Sequence, residues 1–488
     1  MDALERVADR SAKVHGAKDE EGRGRGSPRS EKGVTQDPGE TIVAIATPPG
    51  IAALGIVRIS GPSAIAIGSA LVRLPKGDGL EAIAPRAVSK VRVVDPVTGE
   101  DLDEALVVTM PGPRSYTGED LVELSCHGSP VLLAEVVRNA IALGARLAEP
   151  GEFSRRAYLN GKMGLLKAEA VAELIGARSE RAVRLAARAL RGQSAGEISA
   201  ARDQLVDLVA ELEVALDFPE EEIGVSRADA IKRAVEIASS LARLIGRGRR
   251  GRAVQDGLTV MLTGTPNVGK SSLLNALLGS ERAIVADHPG TTRDLVDGTL
   301  PLAGVPVRLM DGAGLGSPED AIGAEGMRRA REALAESDLA LVVLDQSRPI
   351  SPDDRDIIRL TEGCARLVVA NKSDLPAAWR DAVLVDCECS ALTGSGLGGV
   401  AEQIRAWVER RTADDGDEGG FVASLRVLEG LERTCIMLRD AAASLQHAPI
   451  EAALVDLREG LVSLGQILGI EAGDAVLDRI FSRFCIGK

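Results

Sequence analysis

Eight residues, Gly264 to Ser271 (GTPNVGKS), have the types and spacing of a loop that holds a nucleoside triphosphate. Glycines let backbone curl around phosphate oxygens where a Cβ would intrude. One lysine bridges those oxygens, and one hydroxyl binds magnesium. Gly264, Gly269, Lys270 and Ser271 supply these parts in a G-x-x-x-x-G-K-S pattern. The apolar run Leu258 to Thr263 predicts a buried strand before the loop. Leu273 to Leu278 predicts a helix after it, so a phosphate would meet a helix N-terminus.

Three further motifs follow in order. Gly290-Thr291-Thr292 supplies a threonine for the second magnesium contact and for sensing the γ-phosphate. Asp311-Gly312-Ala313-Gly314 is a D-x-x-G after an apolar run; its Asp supports magnesium through water and its last amide reaches the γ-phosphate. Asn371-Lys372-Ser373-Asp374 is N-K-x-D. Its final carboxylate accepts from the ring N–H and the exocyclic amine of guanine, a donor pair that adenine lacks. Ser390-Ala391-Leu392 fits the remaining base-contact loop. An adenine-nucleotide enzyme is the competing reading, and the motif order disfavours it. Many small GTPases place a water-orienting Gln after D-x-x-G. Here that residue is Leu315, so a monovalent cation held near Asn267 is expected to offset the developing charge.

These motifs need strands and helices to hold them, in a chain of 488 residues with 45% hydrophobic residues and net charge −14. The length suggests about three domains, and the acidic balance argues against a free-standing basic nucleic-acid binder. No apolar run reaches transmembrane length and no secretory signal is visible. Six scattered cysteines read as reduced thiols of a cytoplasmic protein. Residues 1–40 are too polar to fold and predict a disordered extension. Strands and helices alternate over 41–160. Read from their own sequence, Arg58, Glu123 and His127 there are structural or surface residues. Helical periodicity covers 161–255, with GRGRRGR (246–252) expected to be a flexible basic connector. The nucleotide domain spans 256–412, and helical periodicity returns over 413–488. One helical domain interrupted by an inserted nucleotide domain is the simplest architecture.

At this point the chain resembles a known family. Thr41–Gly50 (TIVAIATPPG), Arg114–Leu124 (RSYTGEDLVEL), Pro150–Leu159 (PGEFSRRAYL), the GTPNVGKSSLLNAL loop and the terminal FCIGK are similar to the MnmE (TrmE) family of tRNA-modification GTPases. The resemblance implies a multidomain α+β and α/β fold. Its parts are an N-terminal folate-binding α/β domain that dimerises, a discontinuous α-helical domain and an inserted Ras-like P-loop G domain. It implies a homodimer that joins an FAD-containing MnmG (GidA)-type partner in a heterotetramer. Together they add an aminomethyl or carboxymethylaminomethyl group to carbon 5 of the tRNA wobble uridine, with methylene-tetrahydrofolate as carbon donor. Hydrolysis would depend on potassium.

Carried over by motif, folate contacts fall on Arg58, Glu123, Lys162 and Lys488. Potassium falls on Asn267, Ala286, His288 and Thr291, and magnesium on Ser271 and Thr292. The nucleotide set is Asn267, Val268, Gly269, Lys270, Ser271, Ser272, Ala286, Asp287, His288, Pro289, Gly290, Thr291, Thr292, Asp311, Gly312, Ala313, Gly314, Asn371, Lys372, Asp374, Ser390, Ala391 and Leu392. Thr292, Asp311, Glu325 and Cys485 are the catalytic candidates. Cys485 matches the family cysteine linked to modification, where composition alone would make it a small core hydrophobe. Two departures stand out. Gly323 occupies the expected glutamate position, with Glu325 two residues on, and Gly312 replaces the usual threonine of D-T-A-G. The rival readings are a GTP-switched ribosome-assembly factor and a helical scaffold whose nucleotide is only structural.

Overall fold

The computed structural model describes residues 39–74, 79–218, 225–285, 298–312, 332, 334–379, 383–413, 421–470 and 473–488. The chain from Thr41 begins with β1 (Ile42–Ile45), β2 (Ala52–Ser60), α1 (Ala64–Leu71), β3 (Val72–Arg73), β4 (Ser89–Val94), β5 (Asp101–Met110), β6 (Leu121–Gly128), α2 (Pro130–Ala142) and β7 (Arg146–Leu147). These strands form one sheet in the order β3-β4-β5-β6-β2-β1-β7. Alternation buries Val57, Ile59, Val122 and Leu124 against Leu133 and Val136 of α2 and Ile67 and Leu71 of α1. The other face keeps polar residues, and the β2–β6 register sets Arg58 directly opposite Glu123.

Helices follow: α3 (Glu152–Leu159), α4 (Leu165–Gly176), α5 (Glu180–Leu190), α6 (Gln193–Asp217) and α7 (Arg227–Asp256). After the nucleotide-binding part come α11 (Leu425–His447), α12 (Ile450–Leu468) and α13 (Asp474–Phe481). Leu205, Leu208 and Leu212 of α6, Ile237 and Leu241 of α7, Leu431 and Leu438 of α11 and Leu457 of α12 share one core. Helices on both sides of the nucleotide-binding part therefore bury their apolar stripes together.

The expectation of a flexible connector at 246–252 is corrected: α7 runs unbroken to Asp256. Isolated propensity disfavours a helix with glycines at this density, but packing outweighs it. A Cβ on Gly251 would stand 2.0 Å from the Phe421 carbonyl oxygen, and one on Gly248 would stand 2.8 Å from Ala423 Cβ. Glycine is what lets α7 meet the returning chain. The arginines are engaged as well, with Arg247 on Glu197, Arg249 on Glu432 and Arg252 on Asp256.

The intervening part comprises β8 (Leu258–Thr263), α8 (Lys270–Val285), β9 (Thr299–Leu302), β10 (Val305–Asp311), β11 (Leu339–Asp345), α9 (Pro352–Leu360), β12 (Arg366–Asn371), β13 (Cys387–Glu388) and α10 (Leu397–Thr412). Its sheet order is β13-β12-β11-β8-β10-β9. All neighbours are parallel except the β9–β10 hairpin. Every residue of β11 is buried, which is why Leu339 to Leu344 read as an unbroken apolar run ahead of the buried Asp345. Among the described residues no helix is long and apolar enough to cross a membrane. All six cysteines are free thiols.

Candidate guanine nucleotide site and a second site at the chain end

Parallel strands present their carboxyl ends on one edge, and the loops leaving those ends carry the nucleotide motifs. From β8 the chain turns through Gly264 and Gly269, with φ +159° and +96°. A Cβ on Gly264 would be 2.4 Å from the Val343 carbonyl oxygen, and one on Gly269 2.3 Å from Asn371 Nδ2. Both glycines are thus fixed by close approach of other strands. Asn267 stands exposed on the loop in the left-handed region, at φ +64°. Asparagine tolerates that region better than most residues.

Lys270 opens α8 and folds back over its own loop. Its Nζ donates to the carbonyls of Gly264 (3.0 Å) and Thr265 (3.1 Å). Burial holds its ammonium below the usual lysine range, while the Asp311 carboxylate pulls the other way. Ser271 Oγ donates to Asp311 Oδ2, which joins the hydroxyl of the phosphate loop to the aspartate at the end of β10. A hydroxyl and a carboxylate side by side are the oxygen set that a hard divalent cation takes. Gly312 N donates to Leu262 O at 2.9 Å. A Cβ at Gly312 would be 2.5 Å from that oxygen and 2.8 Å from Met261 Cε. Glycine at this position therefore matches the backbone around it, and a threonine would force a shift.

Asn371 ties the base-reading loop to the rest. Its Nδ2 donates to Val268 O at 2.8 Å, and its Oδ1 accepts from Ala391 N at 3.0 Å. Lys372 has φ +67° and pairs with Asp345 at 2.7 Å. Burial would raise the Asp345 carboxyl, but hydrogen bonds from Lys372 and Ser347 outweigh it and hold it below the usual range. Asp374 is exposed, as a base-reading carboxylate must be, and Leu392 is exposed beside the buried Ser390. Ser272 lies exposed one residue along α8. Ala286, Asp287, His288, Pro289, Gly290, Thr291, Thr292, Ala313, Gly314, Leu315, Gly323 and Glu325 lie outside the described residues.

Motif reasoning missed what stands behind the loop. Thr265 Oγ1 donates to Asp354 Oδ1 at 2.8 Å, and Arg348 binds both. Ser351 and Asp354 form a capping box at the start of α9, a local S-x-x-D signal that the sequence does carry. The contact of Arg348 with Thr265 spans 83 positions and has no such signal.

The second site forms where the chain ends. Ile486 bridges to Pro150, and Gly487 has φ +96°. A Cβ on Gly487 would be 2.4 Å from Ile45 O. This close approach brings the end of the chain to β2, where Arg58 donates to Gly487 O at 3.0 Å and to Glu123 Oε1 at 2.8 Å. The Arg58 guanidinium also lies over the rings of Tyr116 (5.5 Å) and Phe153 (5.6 Å). Burial first, and then the Arg58 charge, holds the Lys488 ammonium below its usual range, with Cys485 opposing. Arg58, Glu123 and Lys488 are thus brought together. Lys162 is exposed and packs beside Gly118, whose added Cβ would be 3.4 Å from Lys162 Cε. Cys485 is exposed, and its carbonyl accepts from Gly151 N at 3.4 Å. The surface reading holds for His127, which is exposed and pairs with Asp103. Arg58 and Glu123 instead form an ion pair at 2.7 Å, partly shielded beside the chain end, which the structural half of that reading covers.

Residues 41–162 match the model of the GTP-binding protein TrmE N-terminus, and residues 165–485 that of the MnmE helical domain. The tRNA modification GTPase MnmE of Symbiobacterium thermophilum is 43% identical over 459 residues, covering 92% of this chain and 99% of that protein. That of Moorella thermoacetica is 40% identical over 460 residues, with the same coverage. The chain belongs to the MnmE family of tRNA modification GTPases. Membership makes it a GTP hydrolase with a role in tRNA modification. Among solved structures, Aquifex aeolicus Era bound to GDP.AlF4- is 24% identical over 37% of this chain and 66% of that one. The TM-score is 0.25, so that likeness carries no argument.

Proposed function

We propose that this family member is a potassium-dependent GTPase that works with an FAD-containing MnmG-type partner. The pair would add an aminomethyl or carboxymethylaminomethyl group to carbon 5 of the tRNA wobble uridine. The observation that carries this reading is the meeting of Arg58, Glu123 and the chain end over Tyr116 and Phe153. Two cationic side chains and a carboxylate beside aromatic faces fit a polar heteroaromatic ligand with an anionic tail, as a folate is. Methylene-tetrahydrofolate, when bound, supplies the one-carbon unit. Glu123 would accept from ring N–H groups, and Arg58, Lys488 and Lys162 would hold the anionic tail. Cys485, three residues before the chain end, would act beside it.

At the nucleotide site, Asn371, Lys372 and Asp374 would read guanine, and Lys270 and the Val268–Ser272 amides would hold phosphates. Ser271 and Thr292 would bind magnesium, with Asp311 behind it. Asn267, with Ala286, His288 and Thr291, would hold potassium, and Glu325 would assist water in the absence of a glutamate at Gly323. Dimerisation through residues 41–160 would let two nucleotide domains meet and close the site against water. We further propose the domain limits 41–160, 161–255, 256–412 and 413–488, in a cytoplasmic protein.

The deciding experiment is mass spectrometry of wobble uridines in a strain lacking the protein, complemented with wild type or Arg58→Ala. Loss of the modified uridine, restored by wild type and not by the variant, is the expected result. Unaltered uridines in the deleted strain would remove the reading. Equal turnover in sodium and potassium buffers would remove its potassium arm.

A further inference from the structure

We infer that Arg348 is a positioning residue for guanine nucleotide binding: it locks the phosphate loop and the base-reading lysine into one frame. Its guanidinium hydrogen-bonds through one edge and faces a second carboxylate at ion-pair distance through the other. One meets Asp354, with NH1 at 2.8 Å from Oδ2 and NH2 at 3.1 Å from Oδ1. The same NH2 donates to Thr265 Oγ1 at 2.8 Å, and that hydroxyl donates on to Asp354. The other edge turns to Asp345, with Nε 4.0 Å from Oδ2. That oxygen pairs with Lys372 Nζ at 2.7 Å.

Both ends of this chain of contacts reach the nucleotide machinery. The Thr265 carbonyl is one of the two oxygens that hold Lys270. Lys372 belongs to the N-K-x-D loop. Asp354 is buried and accepts from Ser351 N (2.9 Å), Ser351 Oγ (2.8 Å), Arg348 and Thr265. Burial would raise its carboxyl, but hydrogen bonds led by Arg348 keep it below the usual range. A buried carboxylate so fully satisfied fixes the groups around it, and removing its only cationic partner among these contacts leaves it a costly neighbour for Thr265. A planar fork is needed, because an ammonium is a point charge and cannot serve two edges at once.

The test uses the full-length protein and fluorescently labelled GDP, with dissociation followed by stopped flow and melting followed by circular dichroism. Arg348→Met is expected to raise the GDP dissociation rate about tenfold. Thr265→Val cuts the loop-side link and leaves the ion pair in place; it is expected to raise the rate several-fold while melting less far below wild type than Arg348→Met, since Asp354 loses one neutral donor only. The double variant is expected to be no worse than Arg348→Met alone, since both cut one linkage. Arg348→Lys is expected to recover less than half of the loss. A residue that only stabilises the domain would lower melting and leave the dissociation rate of folded protein unchanged. The inference is overturned if Thr265→Val keeps wild-type dissociation, if the two effects multiply in the double variant, or if Arg348→Lys recovers fully. Should Arg348→Met fail to fold, Thr265→Val alone decides.

Discussion

The nucleotide site and the chain-end site are assembled in opposite ways. At the first, each group leaves the carboxyl end of a parallel strand: the phosphate loop from β8, Asp311 from β10, Asp345 from β11 and Asn371 from β12. For the phosphate loop, Asp311 and Asn371, strand and motif are adjacent in sequence, so each carries its own local signal. At the second, Arg58 meets Gly487 across 429 positions, and the link depends on a glycine that lets the chain end touch β1. Contiguous motifs make a site that can be read residue by residue; a site closed by a distant terminus gives no such pattern. The two should also fail separately, which is open to measurement.

The largest expected effect is at Lys270. Lys270→Ala removes the ammonium that sits among the phosphate-loop carbonyls and should cut GTP turnover roughly 100-fold or more. Steady-state phosphate release measures it, and turnover within tenfold of wild type would show that the loop does not bind the triphosphate as described. Next is Gly487→Ala. Its Cβ would be driven against Ile45 O, so the last residues must move off Arg58. A misplacement of about 1 Å can cost on the order of 100-fold in a reaction, so modified uridine should fall steeply while GTP turnover stays near wild type. Parallel loss of both activities would break the separation of the two sites.

Asp374→Asn sharpens the reading of the base. Loss of a charge-assisted donor pair should weaken GTP binding by about 2–3 kcal/mol and favour a xanthine nucleotide. Competition binding with GTP and XTP measures this, and unchanged GTP affinity would refute the role. Gly251→Ala probes the helical core instead of either site. Overpacking against Phe421 should cost about 1–3 kcal/mol of stability, read from denaturant melts. An unchanged midpoint would mean that α7 does not approach the returning chain so closely.

The smallest effect is a pH dependence at the chain end. The folded pKa of Lys488 lies below the unfolded value, so the unfolded chain binds more protons between the two. Burying the charged ammonium costs stability in full below the folded pKa. That cost is relieved as pH rises from there to the ordinary lysine value of 10.5. Lys488→Met should therefore melt slightly above wild type at neutral pH, with the difference vanishing near pH 10.5. A difference that grows with pH would reverse the assignment.

The GRGRRGR segment shows why part of the fold was hidden. Read locally, three glycines among arginines argue for a flexible connector. Gly248 and Gly251 are instead the close-contact face of a helix, and the arginines pair with Glu197, Glu432 and Asp256. Glu197 and Glu432 are far away in sequence, so no window around the glycines could reveal them. Arg58 is a similar case: a lone arginine on a strand has no visible partner until β6 supplies Glu123 in register and the terminus supplies Gly487.

By itself the sequence determined the nucleotide chemistry. G-x-x-x-x-G-K-S, D-x-x-G and N-K-x-D each follow a run that must be a buried strand, so each can be read from its own short window. It also determined the alternating and three-four apolar patterns from which the sheets and helices follow. Tertiary structure alone decided that Arg348 reaches Thr265, that Gly251 touches Phe421, and that Lys488 ends beside Arg58. Those contacts join residues separated by tens to hundreds of positions. Their geometry is set by how packed elements approach one another, and that approach is a property of the whole fold that no local spacing encodes.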